Sequence, residues 1–294
     1  MRNKRQHSIP SSYLKAWCDP DTVPIGGEYS PYVWIFSKDG KQVEHKPPEK
    51  IFFEKDLYTV HTKDGERNLT IEQNLSRLEG EFSRLRKNKL EKKIPLSQKD
   101  HLLLCMFVAA MYGRTVAQAD HWRTFWRDSG DLLAKAQRVW EEATPEKRAG
   151  IELAFGGALD DNAPVLSEED INELESQPFD PMLEVLITRV APILFRFPYI
   201  ILETLDEIGF ITSDNPCVSF DPFGLGGFGS PTIEITLPLS PKQMLFISRE
   251  LDTKGMYFEV KNQMFIDAMN HRTKLHANKN FVSNRGELRF AWFK

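Results

Sequence analysis

Residues 70–85 read TIEQNLSRLEGEFSRL, and their period decides how the chain is built. Ile71, Leu75, Leu78, Phe82 and Leu85 recur at spacings of three and four, which puts them on one face of a helix. Thr70 is placed to cap that helix. Upstream the period is two. YVWIFSKDGKQVEH (32–45) reads as a hairpin about Asp39-Gly40, a dipeptide suited to a tight primed turn. IFFEKDLYTV (51–60) and a short segment at 67–70 read as continuing that small sheet. Downstream, Ser97 begins a second helix with Asp100 at the capping-box position. It is expected to reach about Asp128, with a bend at Gly113. Further helices are expected at 131–143, 146–158, 167–176 and 180–196, with Pro192 kinking or ending the last.

From Tyr199 the strands return as YIILETL, GFITS, TIEITLPL and QMLFISRE. A helix near 261–275 interrupts them, before NFVSN and LRFAWF. Strands and helices in separate blocks predict an α+β fold rather than alternating βαβ units. The expected layout is one domain over 1–294. A small N-terminal sheet or hairpin region (1–70) leads to a helical block (71–197), then to a C-terminal, mainly antiparallel sheet with one helix (198–294).

The formal net charge of −4 gives no global attraction to nucleic acid or to a membrane surface, so any nucleic-acid groove must be local. Three scattered cysteines, Cys18, Cys105 and Cys217, make no disulfide framework and fit a reducing compartment. The basic start MRNKRQHSIP is not followed by an apolar stretch, so it does not read as a secretory signal. The longest apolar run, at 102–112, is well short of the roughly 20 residues that a bilayer needs. A soluble, cytoplasmic protein with no membrane contact is expected.

Several familiar motifs fail on context. Gly224, Gly226 and Gly229 spell G-x-G-x-x-G, but a proline and a strand-like run follow, where a dinucleotide site needs a helix. His271 and His276 miss the spacing of a helical metal pair. No cofactor is expected, and a divalent metal stays open as an alternative. His7 reads either as a pin that donates to a backbone carbonyl or as an acid–base group. Arg114, Gln118 and His121 would share one helical face, and Arg114 reads as an ion-pair partner or an anion binder. Glu72 and Glu79, seven apart, read as a solvated face. In GFITSDNPC (209–217), Asp214 and Asn215 stand at a strand end that Pro216 fixes. That position suits a ligand site, and it equally suits an Asx-turn.

Together these pieces form an ordered set: H-x-x-P-x-x-Y-L-x-x-W at 7–17, F-x-K-D-L-Y-T-V at 53–60, I-E-x-x-L-S-x-L-E at 71–79, Arg114-Thr115, I-T-S-D-N-P at 211–216, L-P-L-S-P at 237–241, and Asn270 with Ala277. The set resembles the bacterial family called domain of unknown function 4238, over nearly the whole chain. Trp17 departs mildly from the pattern, where a phenylalanine is more usual. Some members are associated with antiviral genes of prophages and phage satellites, so the resemblance implies a role in defence against phage. It marks His7, Tyr58, Glu72, Arg114, Ser213, Asp214, Asn215 and Asn270 as functional candidates.

The leading expectation is a hydrolase of nucleic acid or nucleotides. His7 would be its acid or base, Asp214 its base or ligand holder, and Arg114 its anion clamp, in one pocket between the helical block and the C-terminal sheet. Tyr58, Glu72, Ser213, Asn215 and Asn270 would bind. The alternative is a non-catalytic sensor that recognises a phage-encoded trigger protein or a small ligand.

Overall fold

The chain enters its fold through β1 (Arg5–His7) and the short helix α1 (Ser11–Leu14), which Pro10 opens at φ −57°. The structure is a computed structural model and describes residues 5–22, 31–61, 64–154, 167–180, 182–224 and 227–294. Ile9, Tyr13, Leu14 and Trp17 are all fully buried. Tyr13 Oη donates to Pro238 O (2.7 Å) and lies 2.8 Å from Thr212 Oγ1, and Trp17 Nε1 donates to Phe210 O (2.8 Å). These partners lie 193 to 225 residues further along the chain.

The hairpin forms as β2 (Val33–Ser37) and β3 (Val43–Lys46) about Asp39-Gly40. Gly40 takes φ +73°, which glycine adopts without strain. The far edge of β2 pairs with β13 (Asn280–Ser283), which in turn pairs with β8 (Thr212–Ser213), giving a sheet of order β3-β2-β13-β8. IFFEKDLYTV does not extend this sheet. β4 (Phe53–Lys55) pairs with β1, and β5 (Val60–His61) pairs with β6 (Arg67–Asn68). The cause is local: Phe52 and Asp56, on either side of β4, hold φ of 50° and 54°, which turns the chain at both ends.

Helix α2 (Thr70–Leu85) buries Leu75, Leu78, Phe82 and Leu85, the face its spacing predicts. Thr70 is not the cap. Its N–H is instead taken by Asn68 Oδ1 (2.9 Å). Helix α3 (Gln98–Gly113) opens on the Ser97/Asp100 capping box and is apolar almost all round, as a central helix must be. Phe107 of α3 stacks on Phe82 of α2 at 3.6 Å between ring centres.

Helix α4 (Val116–Glu141) leaves α3 at 63° across Arg114-Thr115, and Thr115 Oγ1 caps it by accepting from Gln118 N (3.2 Å). The separate helix expected at 131–143 is the second half of α4. The end expected at about Asp128 does not occur: α4 runs on through Gly130, which packs against Ile171, where an added Cβ would meet Ile171 Cγ2 at 3.0 Å. Ile171 belongs to α6 (Glu168–Ser176), which follows α5 (Pro145–Ala154). Helix α7 (Met182–Arg196) packs along α3 and carries Pro192 inside it without ending there. No single helix among the described residues is long and apolar enough to cross a membrane.

The C-terminal sheet has order β12-β7-β11-β10-β9, from β7 (Tyr199–Glu203), β9 (Val218–Phe220), β10 (Glu234–Ser240), β11 (Gln243–Ser248) and β12 (Met256–Glu259). It is antiparallel except for the parallel pair β12–β7. Helix α8 (Gln263–His276) follows β12, and its first turn is capped by Asn262. LRFAWF ends in a 3₁₀ turn at Phe290–Phe293 rather than a strand, because Trp292 is drawn inward to donate from Nε1 to Asp267 Oδ1 (2.9 Å). Of the glycine triplet, Gly226 lies outside the described residues, and β10 follows the loop.

His101 of α3 is buried between the rings of Phe195 (4.8 Å) and Tyr199 (4.2 Å). Burial, helped by the nearby Lys254, lowers its pKa to about 4. The fold therefore favours the neutral ring. Its contribution is complete above the unfolded value near 6.5 and is lost as pH falls towards 4. Thermal melts at pH 7.5 and 4.5 should show an acid-linked loss of about 1–2 kcal/mol, allowing for solvent screening, that His101→Phe removes.

Candidate functional site

Arg114 sits at the joint between α3 and α4, is only 2% exposed, and gathers three distant parts of the chain. Its Nη1 donates to Glu79 Oε1 (2.6 Å), its Nη2 to His7 O (2.7 Å) and its Nε to Tyr58 Oη (3.3 Å). Tyr58 Oη in turn donates to Arg114 O (2.8 Å). Gln6 holds Tyr58 from the other side, its Oε1 accepting from Tyr58 N (2.6 Å). Burial works against the Arg114 charge, but Tyr58 and Glu79 outweigh it and hold its pKa above the ordinary value. Burial pushes the Tyr58 hydroxyl up to about 12.

Around this buried knot lie two half-buried titratable groups. His7 Nε2 donates to Glu49 O (3.3 Å), so the neutral ring keeps its lone pair on Nδ1. Burial lowers its pKa, Arg114 adds to this, and Glu49 and Glu79 oppose it. Glu72, in the first turn of α2, feels burial first, which raises its pKa. Arg114 pulls it back and Glu79 pushes it further up. The surroundings therefore favour a neutral imidazole and a neutral carboxyl beside a charged Arg114–Glu79 pair. Such a division suits general acid–base work.

β1 and β4 extend the site outward. His7 lies opposite Phe53 in their register, and Arg5 lies opposite Lys55, so all four side chains share one face of the ribbon. The His7 and Phe53 rings meet edge-on at 5.8 Å, and the Arg5 guanidinium stands 4.9 Å over Phe53. A cationic, aromatic ledge thus adjoins His7.

The structure brings His7, Tyr58, Glu72 and Arg114 together and leaves the other four candidates elsewhere. Asp214 accepts from three successive backbone N–H groups, of Asn278, Lys279 and Asn280, at 2.7 to 2.9 Å. Burial raises its pKa and those donors counter it. Ser213 Oγ accepts from Asn215 N (3.1 Å), a local turn bond. Asn215 Nδ2 donates to His276 O (3.0 Å). Asn270 is fully buried and staples α8 to the strand approach, accepting from Ile211 N (3.0 Å) and donating to Gly209 O (2.8 Å). Gly209 is required there: at φ +67°, an added Cβ would lie 1.9 Å from Pro241 O.

In place of the expected His7–Arg114–Asp214 pocket, the hydrogen bonds tie Arg114 to His7 and give Asp214 other partners. No hydrogen bond among the described residues joins His7 to Asp214, whose carboxylate is spent on backbone donors. Arg114 is no anion clamp either, because its guanidinium is buried and already engaged. Glu79, expected on a solvated face with Glu72, is instead a member of the knot. Its seven-residue spacing from Glu72 was the signal, and it faces Arg114 rather than water. Gln118 and His121 do share a face, but Arg114 precedes α4 and turns away from them. No group of three or more His, Cys, Asp or Glu among the described residues is arranged to hold a metal ion.

A family described as "Protein of unknown function (DUF4238)" matches residues 5–287. The chain belongs to the DUF4238 family. Neither the curated proteins nor the solved structures give a match. Every member of the Arg114 knot lies within the span that this DUF4238 chain shares with its family.

If Arg114 is a structural keystone, Arg114→Met should lower unfolding free energy by about 3–5 kcal/mol in urea titration, because Glu79 and the His7 carbonyl lose their partner. Asp214→Asn should cost about 1–3 kcal/mol in the same assay, since an amide cannot satisfy three donors as a carboxylate does.

Proposed function

We propose that the protein is a cytoplasmic hydrolase of phosphoester bonds in nucleic acid or nucleotides, acting in defence against phage. The observation that carries this reading is the fixed Arg114–Glu79 pair, whose charges act on two half-buried groups, His7 and Glu72, each shifted towards neutrality. In the proposed step, His7 Nδ1 takes a proton from water as its oxygen attacks phosphorus. The departing oxygen takes its proton from the Glu72 carboxyl. Arg114 holds the His7 backbone and acts on Glu72 through its charge, rather than touching substrate. The ledge supports the substrate class, because Arg5 and Lys55 offer cations to phosphates and Phe53 offers a ring for a base to stack on. The role in defence rests on the family resemblance.

A second reading, the sensor, is favoured by one surface. On α4, Phe125, Leu132 and Val139 are exposed at intervals of seven, and Leu132 is 69% exposed. Residues at this spacing line up along one side of a helix, as in a strip that docks another helix. In this reading the strip receives a phage-encoded protein.

Phage plating separates the two. Wild type, Glu72→Gln and Leu132→Glu, at matched soluble levels, are challenged with a broad phage panel. The hydrolase reading expects Glu72→Gln to lose protection and to lose at least 100-fold of hydrolytic rate on a nucleotide and nucleic-acid panel, with its melting temperature unchanged. It expects Leu132→Glu to keep both. The reverse result moves the sensor ahead, and protection by both variants would sink the two readings together.

A further inference from the structure

At the joint of α3 and α4, on the side that faces the C-terminal sheet, lies a cavity of about 400 Å³. That is within the range of small-molecule sites, at its lower end. It is lined from the end of α3, the first turns of α4, the turn after β8, β9 and the end of α8. None of the groups placed in the His7 cluster lines it.

The polar groups around this cavity share a property. The Gln118 carboxamide, the His121 ring, the Ser219 hydroxyl and the His276 ring line it, and none is used in a hydrogen bond to another protein group among the described residues. Asn215 adds its Oδ1, since its Nδ2 is held by His276 O. The Asp214 turn and Pro216 fix that amide in place. Side chains left free in this way on a concave wall are what a ligand with several donors and acceptors requires.

The charge of the lining narrows the class. Among the described residues no lysine or arginine lines the cavity, and the one formally charged residue there is Asp221. His276 is held towards its neutral form by burial and by the nearby Arg272 and Lys38. The first turn of α4 opens here, but Thr115 already takes the Gln118 N–H. A phosphate would therefore meet a carboxylate and no cationic side chain. Tyr112, Ala117 and Ile233 supply apolar wall for a flat ring, and the amide of Gln118 can both donate and accept along a heterocycle edge.

We propose that this cavity binds a small uncharged molecule of the nucleoside class, separately from the His7 cluster. The assignment stands whether or not that cluster is catalytic.

The test is isothermal titration of the full chain at pH 7.5 with adenosine, guanosine, cytidine and uridine, with their 5′-monophosphates, and with glucose as an uncharged polyol. At least one nucleoside is expected to bind below 1 mM (roughly −4 kcal/mol), with its monophosphate at least tenfold weaker and glucose not binding. Gln118→Leu should weaken that nucleoside at least tenfold while its melting temperature stays at the wild-type value, and Glu72→Gln should leave the affinity unchanged. The proposal is overturned if no nucleoside binds, if the monophosphate or glucose binds as well as the nucleoside, or if Gln118→Leu binds like wild type. A loss in Glu72→Gln alone would place the ligand in the His7 cluster and overturn it too.

Discussion

The guanidinium of Arg114 is the constraint on which the rest of the structure depends. A buried cation must find partners, because leaving it unpaired costs far more than a lost surface charge. Its partners come from β1, from the loop after β4 and from α2. Meeting those three demands fixes where the N-terminal strand lies, how α2 packs on α3, and where the helical block must bend. Tyr58, by donating back to the Arg114 carbonyl, closes the loop around the bend. The half-buried positions of His7 and Glu72 follow from this arrangement.

The block structure of the fold was legible because period is a local property. The α2 face, the Ser97/Asp100 box and the Asp39-Gly40 turn each declare themselves within a few residues. The errors arose where tertiary contact overrides a local signal. The helix end expected at about Asp128 gives way to a helix that runs on through Gly130, the close-contact point for Ile171. Pro192 does not end α7 but is carried within it. The run 51–60 looks like one strand and is cut by two left-handed residues, Phe52, whose side chain gives no sign of it, and Asp56, of a type that tolerates it. The candidate site was half legible. His7, Tyr58, Glu72 and Arg114 were named, but the sequence could not show that Arg114 would be spent on Glu79, nor that Asp214 would be spent on its own sheet.

GFITSDNPC is both a turn and a wall. Asp214 ties the strand end to residues 278–280, Ser213 tightens the corner, and the amide of Asn215 is held at the edge of the cavity beside α4. Asp214 and Ser213 thus work by holding backbone, and what they hold includes the Asn215 amide that lines the cavity. The Arg114-Thr115 pair has the same double character. One residue serves the His7 cluster and the next caps the helix that lines the cavity.

The burial of the first turn of chain has a consequence for how the molecule is made. Tyr13 and Trp17 reach their partners only at Phe210, Thr212 and Pro238. A ribosome delivers the former long before the latter, so during synthesis these aromatic side chains wait without their native neighbours. The last third of the chain must emerge before the first can lock. Folding should therefore be late and cooperative rather than progressive, with a slow nucleation step set by the long loop to be closed. Until then the nascent N-terminus offers chaperones an apolar segment that the finished protein keeps out of reach.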